Sequence, residues 1–450
     1  KRYVDRVAGA IRSDDPDVAA PRLLFIASSG GLKSAAMFEG RDAILSGPAG
    51  GIVAMAETAR RAGFERVIGF DMGGTSTDVS HFAGEAERTF ETEVAGVRLR
   101  VPMLRIHTVA AGGGSIVTFD GTRLKVGPDS AGSDPGPMAY RRGGPLTVTD
   151  ANVMLGKITP DYFPRVFGPT QDQPLDRASV VAAFEALAHE MGGGRSAADV
   201  AEGVVRIAVA NMANAIKRIS VARGYDVTRY ALNCFGAAGG QHACLIADAL
   251  GMETVLIHPL SGLLSAYGMG LAPIRASREQ SLELDLTEAT LAAISPLLNE
   301  LSREVAATVM AQDVAAADVH LSARLHLKYT GTDTGLPVAL DAIANMRDDF
   351  ERRHRSQFGF VSPDKTIVAA ALEVEATGAT PRDDDAGDRT TATATRGADA
   401  VPHMPRHTRV YSGGAWHDAP VWLRDEIAPA QRIDGPALVI EPHQTIVVEP

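Results

Sequence analysis

The stretch Asp71-Met-Gly-Gly-Thr-Ser-Thr-Asp78 brings two carboxylates, two threonine hydroxyls and a bare Gly-Gly into one short segment behind an apolar run. A triphosphate needs main-chain N–H groups at close range, and a turn without β-carbons allows that approach. Gly73 and Gly74 supply such a turn, Thr75 and Thr77 offer hydroxyls, and Asp71 and Asp78 are hard oxygen donors suited to Mg²⁺, directly or through water. A plain Asp/Gly hairpin is the alternative, and a lone Gly-Gly would favour it. The added hydroxyls and carboxylates favour phosphate. No Gly-Lys-[Ser/Thr] follows and no G-x-G-x-x-G occurs, so the segment is neither a P-loop nor a dinucleotide fingerprint.

Two more segments carry possible chemistry. Gly236-Ala-Ala-Gly-Gly240 lies between a strand and a helix, where a ligand would meet bare backbone and a helix N-terminus. Tight helix–strand packing explains Gly236, Gly239 and Gly240 equally well. His242 either bonds a substrate or is a satisfied core histidine, and the residues alone favour the second. The third segment is His107-Thr-Val-Ala-Ala-Gly-Gly-Gly-Ser115, in which Gly112, Gly113, Gly114 and Ser115 read as a backbone approach to a ligand. Asp134 and Asp150 follow; with His107 they could assemble a metal or substrate site, or serve as turn and cap residues. Cys234 and Cys244 show no spacing that argues for a thiol nucleophile.

These segments need positioning elements. A strand is expected over 21–26, an Ala-rich helix from the Ser46-Gly-Pro-Ala-Gly-Gly51 turn to Gly63, and strands at 66–70 and 79–82. Residues 107–168 are dense in Gly and Pro and promise little regular structure. Ser196 and Asp199 form a capping box for a long helix ending by Gly224, with Lys217 and Arg218 on its solvated side. Beyond 278 a small α+β pattern runs to 375, and 376–408 reads as a flexible linker ahead of a β-rich end.

The chain has 450 residues, 45% hydrophobic and 22% charged, with net charge -11. No basic field exists to hold nucleic acid or an anionic membrane. Two cysteines exclude a disulfide framework, and no apolar run reaches the roughly 18 residues of a membrane helix. The opening residues lack a signal peptide, which makes the cytoplasm the default compartment, and lack an initiator Met, which marks a fragment or processed product.

In order along the chain, Ser46–Gly51, Gly69–Ser80, Thr108–Ser115, Val126–Gly132, Thr147–Asn152 and Phe235–His242 resemble the hydantoinase A/oxoprolinase family, within the sugar-kinase–actin ATPase superfamily. His326–Thr334 and Phe358–Phe360 are more like the 5-oxoprolinase branch than the hydantoin-cleaving or ketone-carboxylating ones. The resemblance implies an α/β fold: an actin-like ATPase core over 1–278, a small α+β domain over 279–375, the linker 376–408, and a β-rich segment over 409–450. It implies ATP with Mg²⁺ or another divalent metal, and ATP-driven opening of a cyclic amide, 5-oxo-L-proline, through phosphorylation of the amide oxygen. Asp71, Asp78 and His107 take the catalytic roles, and Asp71, Asp134 and Asp150 the metal. Gly73, Gly74, Thr75, Thr77, Gly236, Gly239 and Gly240 hold the nucleotide, while Gly112–Ser115 and His242 meet substrate or phosphate. A hydantoinase B-type partner, fused or separate, and an oligomer are implied. The family's earlier Asp-Gly-Gly-Thr phosphate loop is not in this sequence, and Ala139 stands where relatives usually carry Cys. A nucleotide-binding interaction module without turnover is the reading from another class.

Overall fold

A computed structural model describes residues 1–11, 22–94, 97–378 and 405–450. After α1 (Arg2–Ala10), β1 (Leu24–Ile26) turns back through Gly30 into β2 (Leu32–Ser34). Helix α2 (Ser46–Arg61) includes the Ser46–Gly51 stretch, expected as a turn. Its glycines serve helix packing: a Cβ at Gly50 would lie 2.4 Å from the Ser265 carbonyl oxygen.

Strands β3 (Arg66–Met72) and β4 (Thr77–Ala83) form a hairpin, two residues longer at its tip than the apolar pattern predicts. Strands β5 (Arg88–Val94) and β6 (Val97–Leu104) pair with each other, and β7 (His107–Val109) adds to β4. Residues 107–168 are more regular than expected. They hold the hairpin β8 (Ser115–Phe119)–β9 (Leu124–Ser130) and the short helix α3 (Val148–Met154), every residue of which is buried. Helix α4 (Arg177–Met191) follows, and then α5 (Ala197–Ile219), which starts on the expected Ser196/Asp199 capping box. Lys217 and Arg218 are exposed on its last turn.

Strand β10 (Ala231–Phe235) runs parallel to β3 and to β11 (Val255–Leu256), with α6 (Ala243–Leu250) crossing between them. The resulting sheet has the order β11-β10-β3-β4-β7. Both of its faces are covered, which is why β3 reads as a continuous apolar run. Ile68, Phe70 and Met72 face the core shared with α3–α6, while Val67 on the opposite face joins Ala54 and Met55 of α2.

Helix α7 (Leu264–Leu271) leads into β12 (Ile274–Asp285), which runs across residue 278, so the boundary expected there would cut a strand. Helix α8 (Glu288–Met310), β13 (Val319–Tyr329), β14 (Leu336–Ala339), α9 (Ile343–Phe358) and β15 (Ile367–Gly378) complete this region. Its sheet, β1-β2-β12-β15-β13-β14, recruits the hairpin from residues 24–34, joining sequence-distant parts in one layer. Of the expected linker, residues 379–404 lie outside the described residues. The final sheet is β16 (Arg406–Ser412), β17 (Ala415–Leu423), β18 (Ala437–Glu441) and β19 (Gln444–Val448). Among the described residues no helix is long and apolar enough to cross a membrane.

Candidate active site

The parallel strands β3 and β10 end side by side, with Asp71 paired to Phe235 in the ladder. In α/β sheets the crevice beyond such carboxyl ends is where ligands bind. Asp71 also sits directly opposite Asp78 across the β3–β4 hairpin, so both carboxylates leave the same face. Burial and the neighbouring Asp78 charge push Asp71 up to about 6, against a lowering by the Ser265 hydroxyl, which donates to Asp71 Oδ2 at 3.3 Å. Burial raises Asp78 as well, although Thr108 Oγ1 donates to its Oδ1 at 2.5 Å.

Between the two acids the hairpin turns at Gly73–Ser76, closed by Gly73 N–H to Ser76 O at 3.1 Å. A Cβ at Gly74 would meet no atom within 4 Å, and one at Gly73 only Ser76 O at 3.9 Å; neither has the positive φ that demands glycine. Nothing among the described residues requires glycine at this tip, so what the missing side chains leave is open backbone. Thr75 beside it is exposed. Thr77 is not available to a ligand: its hydroxyl is buried and donates to Ala111 O at 2.5 Å.

The triple glycine has a different use from the one expected. Gly113 N–H donates to Gly73 O (3.1 Å) and Gly114 N–H to Gly74 O (2.6 Å). A Cβ at Gly112 would lie 2.7 Å from the Thr75 carbonyl carbon, and one at Gly113 would lie 2.7 Å from Thr149 Oγ1. Gly112–Gly114 are therefore glycines because one loop is bonded flat against another. Ser115 Oγ accepts the Gly112 N–H at 2.9 Å and closes the same loop.

Gly236 has φ +83 and lies against the acid, since a Cβ there would sit 2.4 Å from Asp71 Oδ1. Gly239 and Gly240 are packing glycines: their Cβ atoms would fall 2.8 Å from Cys234 Sγ and 2.9 Å from Thr445 O. His242 is buried with Nε2 3.3 Å from Asn152 Nδ2, and burial pushes its pKa down to about 3, so the ring is neutral. Its Nδ1 and Asn152 Oδ1 are both buried without a hydrogen-bond partner.

The expected metal set does not assemble. Asp150 is the N3 residue of the α3 capping box. Its oxygens accept the N–H groups of Met138 (3.1 Å), Ala139 (2.8 Å) and Thr147 (2.8 Å) and the Thr147 hydroxyl (2.8 Å), a role in folding the loop. Asp134 is exposed on the loop after β9. Among the described residues no group of three or more His, Cys, Asp or Glu could hold a metal ion. His107 pairs with Val79 one residue along from Thr108, and burial and Arg218 lower its pKa.

Two residues at the acids escape sequence reasoning. Thr108 stands beside His107 in a segment already singled out, and its placement opposite Asp78 in the β4–β7 ladder is the missing signal. Ser265 arrives from α7 with no local signature. It helps line a cavity of about 250 Å³ with Asp71, Phe235, Gly236 and Ser261.

The hydantoinase/oxoprolinase family model matches residues 1–278, and the model for that family's C-terminal domain matches 367–450. The chain belongs to the hydantoinase/oxoprolinase family. Among its family relatives, 5-oxoprolinase 1 of Arabidopsis thaliana is 38% identical over 99% of this chain and 36% of its own length. The 5-oxoprolinase of Saccharomyces cerevisiae is 36% identical over 100% of this chain and 36% of its own. The chain thus spans about a third of the length of these 5-oxoprolinases. Among solved structures, the ATP-dependent caprolactamase from Pseudomonas jessenii superposes with TM-score 0.81 at 28% identity, covering 100% of this chain and 65% of that one. A nucleotide-free acetone carboxylase superposes with TM-score 0.69 at 23% identity, over 95% of this chain and 62% of that one, a likeness of fold. Both neighbours agree with the α/β architecture of this family member.

Proposed function

We propose that this chain is the ATP-binding, amide-activating part of an ATP-dependent cyclic-amide hydrolase that opens 5-oxo-L-proline to L-glutamate, with release of ADP and phosphate. The observation that carries it is the open Gly73–Gly74 backbone between two acids that no basic side chain among the described residues neutralises. The curated 5-oxoprolinases and the ATP-dependent caprolactamase supply the reaction class. An actin-like, sugar-kinase-type ATPase core is the finer fold reading that goes with it.

The donor set fits Mg²⁺. Two carboxylates leave most coordination positions to phosphate oxygens and water, as this ion prefers, and a cation would relieve the Asp78 repulsion that adds to burial in raising Asp71. Asp71 and Asp78 would hold it, and it would neutralise phosphate charge. The Gly74–Thr75 tip then offers N–H groups and a hydroxyl to the phosphates, and the Gly112–Gly114 loop fixes that tip from behind. The protein's part in phosphoryl transfer is positioning and charge neutralisation. The lactam oxygen attacks the γ-phosphorus as ADP leaves. Water then adds to the activated ring carbon, the C–N bond breaks with proton transfer to nitrogen to leave an acyl phosphate, and a second water hydrolyses that acyl phosphate to the free carboxylate and phosphate. A hydantoinase B-type partner completes the enzyme in this reading; the caprolactamase relative is itself named a subunit alpha.

The test is phosphate release from ATP with 5-oxo-L-proline, caprolactam or hydantoin, on this chain alone and together with a B-type partner. Stimulation by 5-oxo-L-proline supports the reading; stimulation by another lactam alone overturns the substrate, and none by any of them overturns the activity.

A further inference from the structure

The C-terminal sheet takes no part in the mechanism above, yet its β18–β19 hairpin presses on the wall of the Asp71 cavity. A Cβ at Gly262 would lie 2.5 Å from His443 Cβ, and one at Gly240 would lie 2.9 Å from Thr445 O. Glu441 and Gln444 face each other across this hairpin, so their geometry is set by the sheet ladder. Glu441 is buried, with Oε1 2.9 Å from Arg424 Nη1. Its Oε2 accepts from Gln444 Nε2 at 2.5 Å and from Ser261 Oγ at 3.4 Å, and Gln444 Nε2 also donates to the Ser261 hydroxyl. Ser261 is itself buried.

Two links run from Ser261 to the acid. Its carbonyl accepts the Gly236 N–H at 3.0 Å, and Gly236 is the residue packed against Asp71 Oδ1. Ser261 also begins the turn that delivers Ser265, whose hydroxyl donates to Asp71. Any displacement of Ser261 moves both the backbone and the hydroxyl that touch Asp71. A site held to a fraction of an ångström needs this kind of rigid support behind it.

We propose that Glu441 is a positioning residue for the nucleotide site: by clamping Ser261 it fixes Gly236 and Ser265 against Asp71. This rests on the nucleotide reading above and extends it to a sheet distant in sequence.

Three variants test it, each read by Mg²⁺–ADP affinity from calorimetry and by thermal unfolding. Glu441→Leu removes the clamp and is expected to weaken ADP at least about tenfold, the scale set by a lost buried hydrogen bond to a charged group. Glu441→Gln retains the shape, and the Gln444 amide can turn over to present its Oε1, which has no partner now. It is expected to restore affinity to within about threefold. Ser261→Ala deletes one hydroxyl from the middle of the chain of contacts and is expected to fall between the two. A merely structural role would lower the unfolding temperature of Glu441→Leu and leave the affinity of the folded protein unchanged, and that result overturns the inference. If Glu441→Leu does not fold, Ser261→Ala decides, and unchanged affinity there overturns it. If the wild-type chain binds no ADP, the nucleotide reading fails and this inference with it, whereas unaltered binding in the variants removes this inference alone.

Discussion

Asp71 and Asp78 stand opposite one another in the β3–β4 ladder, and among the described residues each has a hydroxyl for company and no lysine or arginine. Like charges across an antiparallel pair are destabilising. Burial, with that repulsion added to it, pushes the Asp71 carboxyl up to about 6. The fold tolerates this arrangement although it would be more stable without it.

Asp71→Asn is therefore expected to stabilise the unliganded protein. With the folded-state pKa above the unfolded value of 3.8, ionisation is penalised in the fold; the penalty is absent below about pH 4 and complete above about pH 6. Urea unfolding at pH 7.5 should show the variant more stable by about 1–3 kcal/mol, with the difference vanishing near pH 4. Mg²⁺–ADP affinity should fall at least about tenfold. A variant that is less stable at both pH values, or that binds ADP normally, would remove Asp71 from the role given to it.

The glycines separate by location. Gly74→Ala meets open space and should leave the unfolding temperature within a few degrees of the parent, while phosphate binding drops. Gly112→Ala drives a methyl to 2.7 Å from the Thr75 carbonyl carbon and should destabilise by about 1–3 kcal/mol. Denaturant melts and ADP titrations on the pair would show it. Equal stability losses would mean that the hairpin tip is packed after all.

Asp150 behaves as a fold residue. Asp150→Ala strands the buried main-chain donors of Ala139 and Thr147 and opens the α3 cap, at about 2–4 kcal/mol together. Its ADP and metal affinity, measured on the folded fraction, should match the parent. A selective loss of metal affinity at unchanged stability would reinstate it as a ligand.

Glu87 predicts acid sensitivity. Burial raises its pKa, but the hydrogen bond from His81 and the charge of Arg223 outweigh that and hold it down at about 2. A depressed carboxyl stabilises the fold above its unfolded value of 4.5, and that contribution is lost as pH falls from there toward 2. Glu87→Gln should lower stability at pH 7 by about 2–3 kcal/mol and flatten the decline between pH 4.5 and 2, read by denaturant melts at each pH. An unchanged pH profile would place the acid-labile group elsewhere.

The local chemistry was legible in the sequence wherever it depends on residues close along the chain. The β3–turn–β4 hairpin and the Ser196/Asp199 cap of α5 follow from periodicity, turn residues and capping, which act over a few residues. The Gly73–Gly74 tip belongs with them. What glycines are for is a different matter. Gly73–Gly74 and Gly112–Gly114 read alike as strings, and only the packed structure separates an open tip from a loop bonded against it. Asp150 looked like a ligand because its type permits one; four hydrogen bonds within its own loop decide otherwise. Ser265, Thr108 and Glu441 meet the site across distances in sequence that no local pattern reports. Those contacts arise when β3, β7, α7 and the last hairpin are brought to one end of the central sheet, and burial there, absent from any string of residues, raises the Asp71 carboxyl above the usual carboxylate range.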